Sequence, residues 1–123
     1  MKYEVVITPG FIEKDAKGEF PHVCTPIIIT DRSYDVAMEL VEGIENVLKK
    51  RFSCRELESV PDICSVLVKK FEFSKNGSKG FVIVKIKKAG KECPPAEGNV
   101  CSVFEFERDI ECIVDEVEEC LER

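Results

Sequence analysis

Two spacings of apolar residues alternate along the chain. Between residues 63 and 88 the apolar positions gather into two β-branched and aromatic runs, 63–73 and 81–88, on either side of Ser74-Lys75-Asn76-Gly77-Ser78-Lys79-Gly80. Asn-Gly adopts positive φ at little cost, so this stretch predicts a β-hairpin. Leu67, Val68, Phe71, Val82, Ile83 and Val84 leave neither face polar near the middle, which places the hairpin centrally in a sheet. Residues 3–8 read as a short strand ended by Pro9-Gly10, and residues 11–19 as a polar loop. Residues 20–30 read as a second strand, in which Pro21 and Pro26 require an edge position or a bulge because proline donates no ladder hydrogen bond. A last strand is expected at 101–106.

The second spacing has a 3.6-residue period. Asp31 or Ser33 caps a first helix that runs to about Arg51, with Ala37, Leu40, Val41, Ile44, Val47 and Leu48 on one stripe. Asp35, Glu39, Glu42 and Asn46 oppose them, and Glu45 with Lys49 makes a favourable i,i+4 pair. Lys49, Lys50 and Arg51 suit the negative end of the helix dipole. A second helix begins near Asp109 and buries Ile110, Ile113, Val114, Val117 and Leu121. Residues 52–62 read as a connector. Residues 89–100, with two prolines and two glycines, read as an exposed loop of a length that often carries function. The element order is ββαβββα. It predicts a single α+β domain over 1–123, a mostly antiparallel five-stranded sheet with two helices packed on one face.

Composition narrows the setting. A chain of 123 residues, 44% hydrophobic and 34% charged, is long enough for a core. No apolar run approaches the roughly 20 residues that span a bilayer, and the first residues lack a signal-like apolar stretch. The expectation is a cytoplasmic protein without a membrane partner.

Charge is unevenly distributed. Residues 1–62 carry 12 acids and 8 bases, residues 63–91 carry eight lysines against Glu72, and residues 92–123 carry 11 acids against Arg108 and Arg123. Either the basic and acidic segments neutralise each other within the fold, or one of them meets a charged partner.

The seven cysteines include no C-x-x-C pair, and their odd number leaves at least one unpaired in a monomer. Cys24, Cys64, Cys101, Cys112 and Cys120 have apolar neighbours, which suits small buried thiols in a reducing compartment. The absence of Gln and Trp beside abundant Glu and Lys is a thermophile-like trait, and intracellular disulfides occur in that setting.

Chemistry-bearing groups are sparse. His22 and Cys24 share a face if their segment is a strand, the spacing of a Cys/His nucleophile pair, but nothing marks an orienting group or an oxyanion hole. Cys112 points away from the helix core. The helix dipole would lower its pKa while Glu111, Asp115 and Glu116 would raise it, so it reads as a covered or cross-linked thiol. Asp31 with Asp35, or Asp115 with Glu119, could chelate only weakly, and no metal or cofactor is expected. The hairpin lysines with Phe71, Phe73 and Phe81 could form a base-stacking surface, but a net charge of −6 argues against direct nucleic-acid binding.

The remaining reading is an interaction module. Glu111, Asp115, Glu116, Glu118, Glu119 and Glu122, with loop 89–100, would dock on another protein that has a basic surface. In its strongest form this is an inhibitor of the phage or mobile-element type, occupying a nucleic-acid-binding surface of its target. The alternative is a ligand-binding or enzymatic α+β domain, with His22, Cys24 and loop 89–100 as first suspects. A third is a homo-oligomer joined through the edge strand at 20–30.

Overall fold

Asn76 and Gly77 both adopt positive φ, 52° and 81°, and reverse the chain in two residues. This is the geometry that matches the twist of a hairpin. In the computed structural model, which describes residues 2–90, 92–101 and 105–122, that turn joins the fifth and sixth of seven strands. The elements are β1 (Tyr3–Asp15), β2 (Gly18–Val23), β3 (Ile27–Arg32), α1 (Tyr34–Arg51), β4 (Ser53–Leu57), β5 (Ser65–Lys75), β6 (Ser78–Lys88), β7 (Asn99–Val100) and α2 (Phe106–Leu121). The sheet runs β4-β5-β6-β1-β3-β7, with β2 beside the distal half of β1. Every pairing is antiparallel except the parallel β3–β7 contact.

The class is α+β as expected, but the sheet is mixed and has seven strands in place of five. Pro9 and Gly10 do not end the first strand. Pro9 accepts a hydrogen bond from Cys24 N–H at 2.9 Å, and the donor it lacks falls beside an irregularity in the partner. Gly10 stands opposite Val23 but Ile7 opposite Ile27, so three steps along β1 face four along β2 and β3. Thr25 and Pro26 lie in that bulge, as a proline-broken strand requires. Residues 11–19 extend β1 and turn at Ala16-Lys17 into β2 rather than forming a loop. At Gly10 a Cβ would stand 2.1 Å from the Phe81 ring, so the ring lies where only glycine leaves room.

Strand β4 lies within the stretch read as a connector. Only Cys54 and Leu57 in it are half-buried, because an edge strand covered on one side carries a weak apolar signal. The expected strand 101–106 is not found as such: β7 comprises Asn99–Val100, residues 102–104 lie outside those described, and Phe106 already begins α2.

Both helices pack on one face. Val5, Ile7, Ile29, Phe71, Phe73, Val84 and Ile86 from the sheet meet Leu40, Val41, Ile44 and Leu48 of α1 and Ile113, Val114 and Val117 of α2. Ser33 caps α1, its Oγ accepting from Val36 N–H, and Lys49 meets Glu45 at 3.2 Å. The Asp31 side chain lies outside those described.

The opposite face is partly covered as well. Residues 92–98 cross it as a strap from the end of β6 to β7. Cys93 is bonded to Cys64 ahead of β5, Lys87 Nζ donates to Pro94 O, and Ala96 N–H donates to Glu4 Oε2 at 3.2 Å. Asn99 N–H then reaches Pro26 O, and Cys101 N–H reaches Ile28 O. Beneath the strap Val6 is 6% exposed, Ile28 1% and Glu4 4%. Loop 89–100 is therefore a crossover that completes the sheet.

Candidate functional site

Helix α2 is supported at its start, where Glu107 and Asp109 suit the dipole and Asp109 Oδ2 accepts from Glu105 N–H at 2.9 Å, but not at its end. Its N-cap residue, Glu105, makes no side-chain cap bond, and its last turn holds no basic residue among those described. Glu118 and Glu119 there oppose the helix dipole. What holds α2 is tertiary: the apolar stripe, a disulfide from Cys120 to Cys24, and two cations from elsewhere.

The first cation is Arg51, at the end of α1. Its Nη2 meets Glu111 Oε2 at 2.5 Å and its Nη1 meets Asp115 Oδ1 at 2.6 Å. Burial disfavours the guanidinium charge, but the two carboxylates outweigh it and raise the Arg51 pKa. The second is Lys75, at the hairpin tip, 2.5 Å from Glu118 and 3.8 Å from Glu122. Its pKa is raised, chiefly by the Glu118 hydrogen bond.

Of the six acids expected to bind a partner, Glu111, Asp115, Glu118 and Glu122 are thus engaged within the molecule. Glu116 and Glu119 are exposed and have no ion pair among the described residues. The hairpin lysines are similarly engaged: Lys69 meets Glu45 at 2.9 Å, Lys85 meets Asp62 at 3.4 Å and Lys79 meets Glu72 at 3.7 Å. Lys70 lies over the Phe81 ring. Of those six acids, Glu116 and Glu119 are the two left without a cation among the described residues.

These two residues border a groove. Two adjoining hollows, of about 170 and 320 Å³, share Ile27, Asn99 and Glu116 and run between α2 and the β3–β7 edge. Glu119 and the Cys24–Cys120 disulfide lie at one end, and Cys101 and Cys112 at the other. Val100 stands 69% exposed on the strand side. One wall is acidic; on the other, Asn99 and Cys101 share the helix-side face, while Val100 alternates with them and turns to the far face with Ile28.

The other candidates are not brought together as chemistry. Cys24 is consumed by the disulfide and is no nucleophile. His22 stacks on Phe11 with ring centroids 4.9 Å apart, and its Nε2 pairs with Glu13 Oε2 at 2.6 Å. Burial raises the pKa of the Cys54 thiol, and burial with Asp109, Glu116 and Cys112 nearby raises that of Cys101, so neither is an activated thiolate. Cys112 points away from the core as its helical phase required, but it is exposed and in no disulfide of the chain rather than covered. Phe71 and Phe73 are core residues, so they are not part of an exposed stacking surface. Among the described residues no cluster of His, Cys, Asp or Glu could hold a metal ion, and no helix is long and apolar enough to cross a membrane. A further hollow of about 680 Å³ opens between the two hairpin tips, with Glu13, Lys14, Glu19 and Lys79 mixing charge on its walls.

Two features escaped sequence reasoning: the disulfides, and the role of Arg51 as a clamp on α2. Cysteines 96 and 29 residues apart carry no spacing signal. Arg51 read as a helix-end base, and only the packing of α1 on α2 brings Glu111 and Asp115 to it. In sequence the chain matches no protein-family profile and no curated protein.

Proposed function

We propose that this protein is an interaction module that docks on a basic segment of another protein through the groove between α2 and the β3–β7 edge. Glu116 and Glu119 supply the electrostatic contact, and the Asn99–Val100 edge forms the facing wall. The observation that carries this reading is the division among the α2 acids. Glu111, Asp115, Glu118 and Glu122 have cations within the molecule, while Glu116 and Glu119, bordering the groove, have none among the described residues, so a bound lysine or arginine would break none of the described ion pairs. In its strongest form the partner is a nucleic-acid-binding protein and the module an inhibitor of it. The expectation of a reducing, cytoplasmic setting stands against the two disulfides, which favour an oxidising one, and the sheet edge at β2 provides a route to homo-oligomers. Pro21 interrupts that edge. Cys24 N–H turned toward β1 sets the alternation, so the donor missing at Pro21 lies on the outer side.

A lysine-rich peptide titrated into the wild type and into a Glu116→Lys/Glu119→Lys double variant tests the reading. The wild type should bind with an affinity that falls as salt rises, and the double variant should lose about tenfold or more. Equal binding by the two proteins would remove the groove from the account.

A further inference from the structure

The two disulfides have different environments. Cys120 is 2% exposed in the core and ties α2 to the sheet through Cys24. Cys64 and Cys93 are both half-exposed and lie outside regular elements, Cys64 just before β5 and Cys93 within the strap. Cys24 is half-exposed as Cys64 and Cys93 are, but its partner Cys120 is buried in the helix–sheet core, so only the Cys64–Cys93 bond offers both sulfurs to an external thiolate.

What the accessible bond holds is also specific. Residues 92–98 are tied to the sheet by that disulfide, by Lys87 to Pro94 O and by Ala96 N–H to the buried Glu4 carboxylate. The strap then leads directly into β7. That strand is two residues long and meets the sheet through Asn99 N–H to Pro26 O and Cys101 N–H to Ile28 O. A strand this short has little stability of its own. Asn99 and Val100 also line the groove beside Glu116. Freedom gained at Cys93 is therefore passed along six residues to one wall of the groove.

We propose that the Cys64–Cys93 bond is a redox latch whose reduction by a dithiol releases the strap and loosens the β7 wall. One thiolate of the reductant attacks a sulfur of the pair and breaks the S–S bond, leaving a mixed disulfide. The second thiol displaces it, so the protein gains two electrons and two protons as Cys64 and Cys93 thiols, and the reductant leaves as its own disulfide. Release uncovers Val6 and Ile28 and frees the Glu4 carboxylate from Ala96. The consequence for docking rests on the groove reading given above, whereas release of the strap does not.

The test treats the intact oxidised protein with limiting dithiothreitol, quenches it with iodoacetamide, and combines peptide mass mapping with amide hydrogen exchange. Cys64 and Cys93 should be alkylated while Cys24 and Cys120 remain joined. Exchange in the strap, Ala96 above all, should accelerate by about tenfold or more, with the β1–β6 ladder unchanged. A Cys64→Ser/Cys93→Ser variant should show the same fast strap without reductant. Opening of Cys24–Cys120 first, or a strap as protected after alkylation as before, would overturn the latch. The lysine-rich peptide separates the two claims: a loosened strap with weaker peptide binding supports both. A loosened strap with unaltered binding keeps the latch and overturns the β7 wall of the docking groove.

Discussion

Cys24, in the bulge between β2 and β3, is bonded to Cys120 on the last turn of α2, 96 residues later. The bond closes almost the whole chain into one loop and fixes the helix end where Glu118 and Glu119 oppose its dipole. In the chain-entropy account a loop of this length stabilises the fold by about 4.7 kcal/mol. A Cys24→Ser/Cys120→Ser variant should lose a stability of that order in urea titration. Its α2 amides should become the least protected of the two helices.

Arg51 joins the helices by another route. Arg51→Ala leaves Glu111 and Asp115 without their cation, and the expected loss is about 1 kcal/mol because both carboxylates are largely exposed. Arg51→Lys, with no fork to span both, should recover only part of it. Urea midpoints at low and high salt measure both variants, and the difference from wild type should shrink as salt rises.

The Glu45–Lys69 pair ties α1 to β5 and makes a prediction in pH. Burial works against the Glu45 carboxylate, but Lys69 and Lys49 outweigh it and hold its pKa below the ordinary 4.5. Its contribution is present above that value and is lost as pH falls through the lowered pKa. Lys69 shifts the other way: the Glu45 hydrogen bond raises its pKa above 10.5, so its contribution is complete below 10.5 and fades as pH rises through the raised pKa. Glu45→Gln should flatten both limbs of the stability profile, as read from urea midpoints across the acid and alkaline ranges.

Gly98 marks where the strap enters the sheet. A Cβ there would stand 2.4 Å from Pro26 O, a backbone atom that cannot swing aside. Gly98→Ala should push β7 from β3 and destabilise the protein by about 1–3 kcal/mol. The loss should concentrate in the exchange of Asn99 and Cys101, whose amides bond to β3. Unchanged exchange at those amides would contradict the described β7 geometry.

The legible parts of the chain were those governed by local rules. Asn76-Gly77 specified its turn, Ser33 its cap, and the two apolar stripes the buried faces of α1 and α2, because each depends on residues within a few positions. Elements set by distant partners were not legible. Ser53–Leu57 is a strand because β5 offers an edge, and Pro9 stays within β1 because the bulge at Thr25 and Pro26 absorbs its missing donor. The six acids expected to bind a partner were indistinguishable in sequence. Their division into engaged and available groups follows from where Arg51 and Lys75 arrive in three dimensions, and neither position can be read from helical phase.

The most direct test of the docking account is residue-resolved. Amide chemical shifts of the isotope-labelled, oxidised protein would be followed as a lysine-rich peptide is added at low salt. The account predicts shifts clustered at Asn99, Val100, Glu116 and Glu119, with the Arg51 clamp and the hairpin tips unmoved. Shifts centred on Glu111 and Asp115 or on the cleft between the hairpin tips, or no shifts at saturating peptide, would contradict it.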